Sequence, residues 1–124
     1  MNYFKNKKME KLFCTFEQSK ELKKLGFDLT CFGFYNEFDS NNIIGSCYPC
    51  EGSDSAPLKT QALGWIRENH DLFGMVYPDF TWNITGGIAD SYGNPYDWDS
   101  DKFNSYDEAE TDLLDNLIKI ISKK

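Results

Sequence analysis

The sequence lacks the features that mark membrane, secreted and familiar catalytic proteins. No apolar run is long enough to cross a membrane, and the basic start MNYFKNKKMEKLFC contains no apolar core of a secretory signal. The chain has one histidine and no G-x-S-x-G, Walker A, Rossmann glycine or H-E-x-x-H motif. We therefore expect a cytoplasmic protein that is not an enzyme and needs no cofactor.

Cysteine is scarce, with four in 124 residues, and two of the four are close in sequence. Cys47 and Cys50 flank a Tyr-Pro pair in GSCYPCEG, a spacing at which two thiolates can bind one zinc ion. Without a second C-x-x-C, a zinc site would also need Cys14, Cys31 or His70 within bonding range. A redox pair is disfavoured because an acidic loop, and no helix, follows the pair. The favoured interpretation is four structural thiols and no metal.

Positive charge is scarce outside the two ends of the chain. Residues 1–24 hold seven Lys and three Glu, residues 25–118 hold three basic and seventeen acidic residues, and the net charge is −7. The acidic segment of residues 25–118 would repel the phosphate backbone of a nucleic acid. Direct binding to nucleic acid is therefore disfavoured on electrostatic grounds. The length of 124 residues predicts one domain over residues 1–124, in which residues 1–12 form a flexible basic segment.

Two helices are predicted near the ends of the chain by the same local pattern. Thr15 and Ser105 each precede a Gln or Glu by three residues, which is the capping-box pattern at the start of a helix. Helices are therefore predicted over residues 16–25 and 106–121, and Gly26 ends the first of them. The second carries the longest apolar stripe in the chain, formed by Tyr106, Ala109, Leu113, Leu117 and Ile120 and widened by Leu114, Ile118 and Ile121.

A middle helix is predicted over residues 58–69. Pro57 suits the entry to a helix, because the first turn needs no backbone N–H from that position. Apolar residues share one face of this segment, so that Trp65 is predicted to lie in the core; the face is formed by Leu58, Ala62, Trp65 and Ile66. The charged side chains are predicted to point away from it: Lys59, Arg67 and Glu68.

The remaining apolar segments are short, aromatic and β-branched, as is typical of strands. Strands are predicted over residues 30–35, 42–47, 73–77 and 80–85, with Pro78-Asp79 connecting the last two as a hairpin. The order α-β-(β)-α-β-β-α predicts an α+β domain in two layers, with about three helices packed on a small, mostly antiparallel sheet.

A long loop, predicted over residues 86–104, is the candidate binding surface. Loops of this length in a compact domain are often functional. Its aromatic and acidic residues interleave, which is typical of protein interfaces; the candidate residues are Tyr92, Tyr96, Asp97, Trp98, Asp99, Asp101 and Phe103. The alternative is that two or three of these rings cover the sheet.

Three segments also resemble a known group of proteins. FCTFEQSKELKKLGFD, APLKTQALGWIRENHDLFGMVYPD and SYDEAETDLLDNLIKII resemble small uncharacterised proteins of bacteriophages, prophages and other bacterial mobile elements. The resemblance leaves out residues 36–54 and 87–103. It implies an origin and a fold, and no activity.

The favoured hypothesis is a non-catalytic accessory protein of phage or mobile-element type that binds another protein through an acidic aromatic surface. One alternative is an inhibitor that mimics DNA, in which carboxylates stand in for phosphates against a basic host enzyme. The other is a small zinc or thiol module. Salt-sensitive binding that depends on Asp97, Asp99 and Asp101 would favour the DNA mimic, and bound zinc would favour the module.

Overall fold

The structure is a computed structural model that describes most of the chain, namely residues 2–3, 11–29, 33–36, 39–45, 55–79, 83–98 and 103–124. The chain divides into two compact units, Met1–Ala62 and Leu63–Lys124. Helices and antiparallel sheets make up the described residues, which confirms the α+β fold class. The prediction of one domain stays a prediction.

The described elements follow one another as β1 (Asn2–Tyr3), α1 (Phe16–Lys24), β2 (Gly33–Asn36), β3 (Asp39–Gly45), β4 (Ser55–Ala56), α2 (Lys59–His70), β5 (Phe73–Pro78), β6 (Ile84–Ala89), β7 (Pro95–Tyr96) and α3 (Tyr106–Ser122). The strands form two antiparallel sheets, with the orders β1-β3-β2-β4 and β5-β6-β7. Among the described residues, no helix combines the length and the low polarity needed to span a bilayer.

Tyr35 of β2 organises the core of the first unit. Its buried ring packs edge-on against Phe16 at a centroid distance of 5.3 Å, and its hydroxyl donates a hydrogen bond to the carbonyl oxygen of Cys14. Phe13 and Ala56 complete the buried cluster. An aromatic ring with a satisfied hydroxyl therefore joins the segment before α1 to the sheet.

Helix α1 begins and ends as the sequence predicts. The Thr15 hydroxyl accepts a hydrogen bond from the Gln18 N–H at 3.1 Å, and the Gln18 side chain accepts one from the Thr15 N–H at 3.0 Å, so the capping box is complete. At the other end, Gly26 has a φ of 101°, and the Phe27 N–H donates to the Leu22 carbonyl at 2.9 Å. This is a Schellman motif, which satisfies carbonyls that the last turn leaves open.

Helix α2 confirms the predicted apolar face and corrects one of its charged positions. Ala62, Trp65 and Ile66 are buried, as expected. Lys59 was predicted to point away, yet it is only 4% exposed. The prediction was wrong because Lys59 lies three residues before Ala62, on the same face of the helix.

A strained residue connects α2 to β5. Asp71 directly follows the helix and has a φ of 53°, in the left-handed region where helices commonly end on glycine. Its side chain accepts a hydrogen bond from the Ser91 hydroxyl at 2.9 Å. The reversal of direction at Asp71 lets β5 start at Phe73.

Both strands of the predicted second hairpin are present, the first close to its predicted bounds and the second extending further along the chain. Strand β5 is Phe73–Pro78, close to the prediction, but β6 is Ile84–Ala89, whereas residues 80–85 were predicted. The strand continues through Gly86-Gly87, which had been assigned to the loop, and β7 also lies within that predicted loop. Residues 80–82 lie outside the described part of the chain.

Two strands predicted in the first unit are found with shifted bounds. Strand β2 is Gly33–Asn36, where residues 30–35 were predicted, and β3 is Asp39–Gly45, where residues 42–47 were predicted. The predicted residues 30–32 and 46–47 lie outside the described part.

Helix α3 forms the core of the second unit against the sheet of β5, β6 and β7. Its buried residues repeat at helical spacing: Ala109, Leu113, Leu114, Leu117, Ile118 and Ile121. The Ser105 hydroxyl accepts the Glu108 N–H at 3.1 Å and starts the helix as predicted. Tyr106 was predicted to belong to the stripe, but it is the first residue of the helix and is 50% exposed.

We predict that Thr15→Ala destabilises the protein by about 1 kcal/mol, because the Gln18 N–H loses its acceptor at the start of α1. Thr15→Ser keeps the hydroxyl oxygen and serves as the control, with a smaller loss expected. Urea unfolding followed by circular dichroism measures both. Equal stability of the Ala and Ser variants would contradict the role of the cap.

Candidate functional site

Three large apolar side chains lie on the outer face of the second sheet, opposite the face that packs on α3. Phe73, Met75 and Tyr77 alternate along β5 and are 43%, 63% and 43% exposed. Alternate residues of a strand point to the same face, so the three side chains form one row. We call Phe73, Met75 and Tyr77 the exposed apolar row.

The inner face of β5 explains why the large side chains are outside. Gly74 and Val76 occupy the inner positions, and a Cβ atom added at Gly74 would lie 2.7 Å from a Leu113 methyl carbon. Helix α3 therefore requires a very small residue there. Strand β5 exposes more apolar side chain than it buries, which is the reverse of a sheet with one covered face.

The neighbouring strand leaves the exposed apolar row uncovered. Met75 pairs with Gly87, and the flanking members of the row pair with Ala89 and Thr85, all of which are small residues. A Cβ atom added at Gly87 would meet no atom of the described residues within 4 Å. The described part of the chain therefore leaves the middle of the row open.

Carboxylates stand at both ends of β5. Asp71 precedes the strand, and Asp79 follows it directly. Each is held by a hydrogen bond: the Asp71 carboxylate accepts from the Ser91 hydroxyl at 2.9 Å, and the Asp79 carboxylate accepts from the Asn83 N–H at 3.0 Å. Both charges are thus positioned relative to the strand.

Asp90 adds a third carboxylate, after β6. It accepts the side-chain and backbone N–H groups of Asn94 and the backbone N–H of Tyr92, at distances between 2.9 and 3.0 Å. These bonds, with the Asn94 side chain first and a smaller attraction from Lys124, hold the pKa of Asp90 below its ordinary value. The fourth carboxylate is that of Asp97, which directly follows β7 and is exposed. We call Asp71, Asp79, Asp90 and Asp97 the acidic rim.

The net negative charge of the chain lies in the second unit. Residues 1–62 hold eight acidic and eight basic residues and are neutral overall, whereas residues 63–124 hold twelve acidic and five basic residues. The whole net charge of −7 therefore lies in the unit that carries the exposed apolar row. Such a field attracts cationic partners and raises their association rate at low salt.

Two aromatic residues of the predicted surface stack on each other and are attached to the second unit, Trp98 to α3 and Phe103 to β6. The Trp98 and Phe103 rings stack at a centroid distance of 5.9 Å, and the Trp98 Nε1–H donates to the Asp112 carboxylate at 2.7 Å. The Phe103 N–H donates to the Ile84 carbonyl at 3.2 Å and so attaches the segment to β6. Trp98 and Phe103 are partly buried, and their contacts fix the returning chain on the unit.

The other described residues of the predicted surface lie in the turn after β6, in β7 and directly after β7. Tyr92 lies in the turn held by Asp90 and is 88% exposed, while Tyr96 is half-buried in β7 opposite Ile88. Asp97 is exposed and belongs to the acidic rim. Asp99 and Asp101 lie outside the described residues.

Sequence reasoning had assigned FGMVY only to a hairpin strand and missed the exposed apolar row. A usable signal was present, because Phe, Met and Tyr alternate with Gly and Val. Large side chains on one face and small ones on the other indicate that the small face lies against something close. Which face is covered depends on α3, more than 30 residues away in sequence.

The cysteine hypothesis concerns residues that the structure describes only in part. Cys14 is buried, and Cys31, Cys47 and Cys50 lie outside the described residues. His70 packs edge-on against Trp65 at 5.1 Å between ring centroids. Within the described ranges, no group of three or more His, Cys, Asp or Glu side chains could hold a metal ion.

The first unit contains a small cleft lined by Ser19, Lys23, Phe27, Asp28, Leu29 and Pro57. Its volume is about 120 Å³, below the range of roughly 300–1,000 Å³ typical of small-molecule sites. The outer face of the second sheet is therefore the stronger candidate surface.

Comparison of the chain with protein-family models, with curated proteins and with solved structures found no match.

We predict that Gly86→Ala destabilises the protein by about 1–3 kcal/mol, because overpacking displaces backbone and ring atoms. The added Cβ would lie 2.2 Å from the Met75 carbonyl oxygen and 2.6 Å from the Trp98 ring. The neighbouring change Gly87→Ala meets open space and is the matched control, with no loss expected. Urea unfolding measured by tryptophan fluorescence compares the two, and equal stabilities would contradict the close approach at Gly86.

We predict that the single histidine titrates below 6.5. Burial and, to a smaller extent, the Lys124 charge lower the pKa of His70. The unfolded chain therefore takes up this proton at a higher pH than the folded chain, so folding stability falls as the pH decreases below about 6.5. NMR of the one imidazole signal measures the pKa; Lys124→Met should raise it and Lys123→Met should leave it unchanged. A titration at or above 6.5 in the wild type would contradict the assignment.

Proposed function

We propose that this chain is a non-catalytic accessory protein, of phage or mobile-element type, that acts by binding another protein. The observation that carries the proposal is the exposed apolar row on the sheet of the second unit. A Met at the centre of such a row, 63% exposed between Phe and Tyr, has no role in the core of the unit. Contiguous apolar surface with a polar surround is typical of interaction sites.

The acidic aromatic character inferred from the sequence supports the same proposal. Two members of the acidic rim, Asp71 and Asp79, stand at the ends of the row, and Tyr92 is 88% exposed in the turn held by Asp90. Aromatic residues and Met are enriched at interfaces: aromatic rings bury a large area for little loss of side-chain freedom, and the flexible Met side chain adapts to the shape of a partner. The proposed surface thus consists of the exposed apolar row, the acidic rim and Tyr92.

The origin from a phage or mobile element rests on the resemblance of the three sequence segments. An accessory protein of this kind acts on a component of the host cell or of the element itself. A protein partner agrees with both the neutral first unit and the acidic second unit, whereas direct contact with nucleic acid would oppose the field of residues 63–124.

Mimicry of DNA is the second candidate, because the entire charge excess lies in one unit. Its surface would differ from the one proposed above, since it would consist of carboxylates such as the exposed Glu108 and Asp115 of α3, without the apolar row. Binding by a mimic falls steeply with salt, whereas binding through buried apolar area depends on salt only weakly.

The proposal is tested by Met75→Glu, which places a charge in the centre of the exposed apolar row. Tyr106→Glu is the matched control, because Tyr106 is 50% exposed on α3, the element packed on the opposite face of the sheet. Each tagged variant is used to capture partners from the host, and the identified partner is then titrated in purified form by calorimetry. We expect at least a tenfold loss of affinity, about 1.4 kcal/mol, for Met75→Glu and none for the control.

Equal affinity of the wild type and Met75→Glu would overturn the proposal. If Glu108→Gln and Asp115→Asn weaken binding instead, and moderate salt abolishes it, the DNA mimic is favoured. Circular dichroism and unfolding curves confirm that each variant is folded before its affinity is interpreted.

A further inference from the structure

Strand β5 has, among the described strands, an edge with unpaired backbone groups as well as an apolar face. Strand β5 ends the sheet order β5-β6-β7, and β6 is the one described strand to which it is hydrogen-bonded. Pro78 is its last residue, and proline is confined to edge strands or strand ends because it has no N–H for a neighbour. One side of β5 therefore has backbone groups that no described strand pairs.

The hairpin register identifies these backbone groups. The Asp79 N–H donates to the Asn83 carbonyl at 2.8 Å, so Asp79 and Asn83 form a hydrogen-bonded pair. Hydrogen-bonded and non-bonded pairs alternate in an antiparallel ladder, so the odd-numbered residues of β5 bond to β6. The N–H and C=O groups of Gly74 and Val76 consequently point to the open edge, next to the side chains of the exposed apolar row.

We infer that the surface takes an extended segment of a partner protein, which adds as a strand to the β5 edge and has basic residues at both of its ends. The inference rests on the proposed function. Backbone hydrogen bonds at an edge supply affinity for any extended chain, and the alternate side chains supply selectivity. Apolar side chains on one face of such a segment would continue the exposed apolar row, extending it across the new strand.

The carboxylates at the two ends of β5 select the charge of that segment. Asp71 and Asp79 stand at the two ends of the strand, where hydrogen bonds from Ser91 and Asn83, at the ends of β6, hold their carboxylates. An added strand that spans β5 has its ends beside these two carboxylates. Lys or Arg at those positions gains attraction, and Asp or Glu is repelled.

The same charges argue against a second copy of this chain as the occupant. If two β5 strands paired antiparallel with Met75 opposite Met75, Asp71 of each copy would lie opposite Asp79 of the other. If they paired parallel and in register, Asp71 would lie beside Asp71 of the other copy, and Asp79 beside Asp79 of the other copy. Either arrangement places like charges together at both ends of the pair, which destabilises it.

The inference is tested with synthetic nine-residue peptides and the full-length protein labelled with ¹⁵N. The first peptide has Val at alternate positions, Thr between them and Lys at both ends. The second replaces both Lys by Glu, and the third keeps Lys but carries N-methyl groups on the amides of one edge. We expect the first peptide to shift the Gly74 and Val76 amide signals and to bind at least tenfold more tightly than the other two.

Protein variants locate the charge effect. Asp71→Asn combined with Asp79→Asn keeps the side-chain acceptors and removes both charges; we expect a loss of at least fivefold in affinity for the Lys peptide and none for the Glu peptide. Asp115→Asn on α3 is the control that changes the net charge without touching the edge. Equal affinities for the Lys and Glu peptides, or for the N-methylated peptide, would overturn the inference.

The outcomes separate this inference from the proposed function. If Met75→Glu abolishes binding of the host partner while all three peptides leave the Gly74 and Val76 signals unmoved, the protein-binding function stands and the strand addition is wrong. If Met75→Glu leaves partner binding unchanged, the proposed function is wrong, and the inference falls with it. A concentration-dependent dimer through β5 would show that the occupant is a second copy.

Discussion

The second unit depends on the close approach of backbone and side chains that two glycines permit. Gly74 lets Leu113 and Leu117 of α3 lie against β5, and Gly86 lets the Trp98 ring lie against β6. Interiors are packed at high density, so a single added methyl group at such a point must displace its neighbours. The requirement for small residues on the inner face also explains why β5 carries its large side chains on the outside, where they are available for binding.

The helices could be located from the sequence because their signals are local. Thr15 and Gln18 are three residues apart, and Gly26 follows the last turn, so both ends of α1 follow from a dozen residues. The return strand β6 could not be located in this way. Judged from neighbouring residues alone, Gly86-Gly87 predicts a turn. Its place in a strand follows from contacts with Met75 and Trp98, which are distant in sequence.

The composition of the candidate surface could be predicted from the sequence, but the residues that form it could not. Its acidic and aromatic composition is visible in the sequence, but the distinction between exposed and anchored rings is set by tertiary contacts. Trp98 is held by Asp112, fourteen residues further on, whereas Tyr92 stands 88% exposed in a hydrogen-bonded turn. Likewise, the alternation in FGMVY gives two faces of a strand, and only the position of α3 determines which of them faces solvent.

Asp71 adopts a left-handed backbone conformation and also contributes a negative charge to the surface. A side chain at a φ of 53° costs about 1 kcal/mol relative to glycine, which commonly occupies this place after a helix. Glycine would also remove the carboxylate, and with it the link to Ser91 and one of the four charges around the sheet. At Asp71 the chain therefore keeps a negative charge at the start of β5 in a backbone conformation that favours glycine.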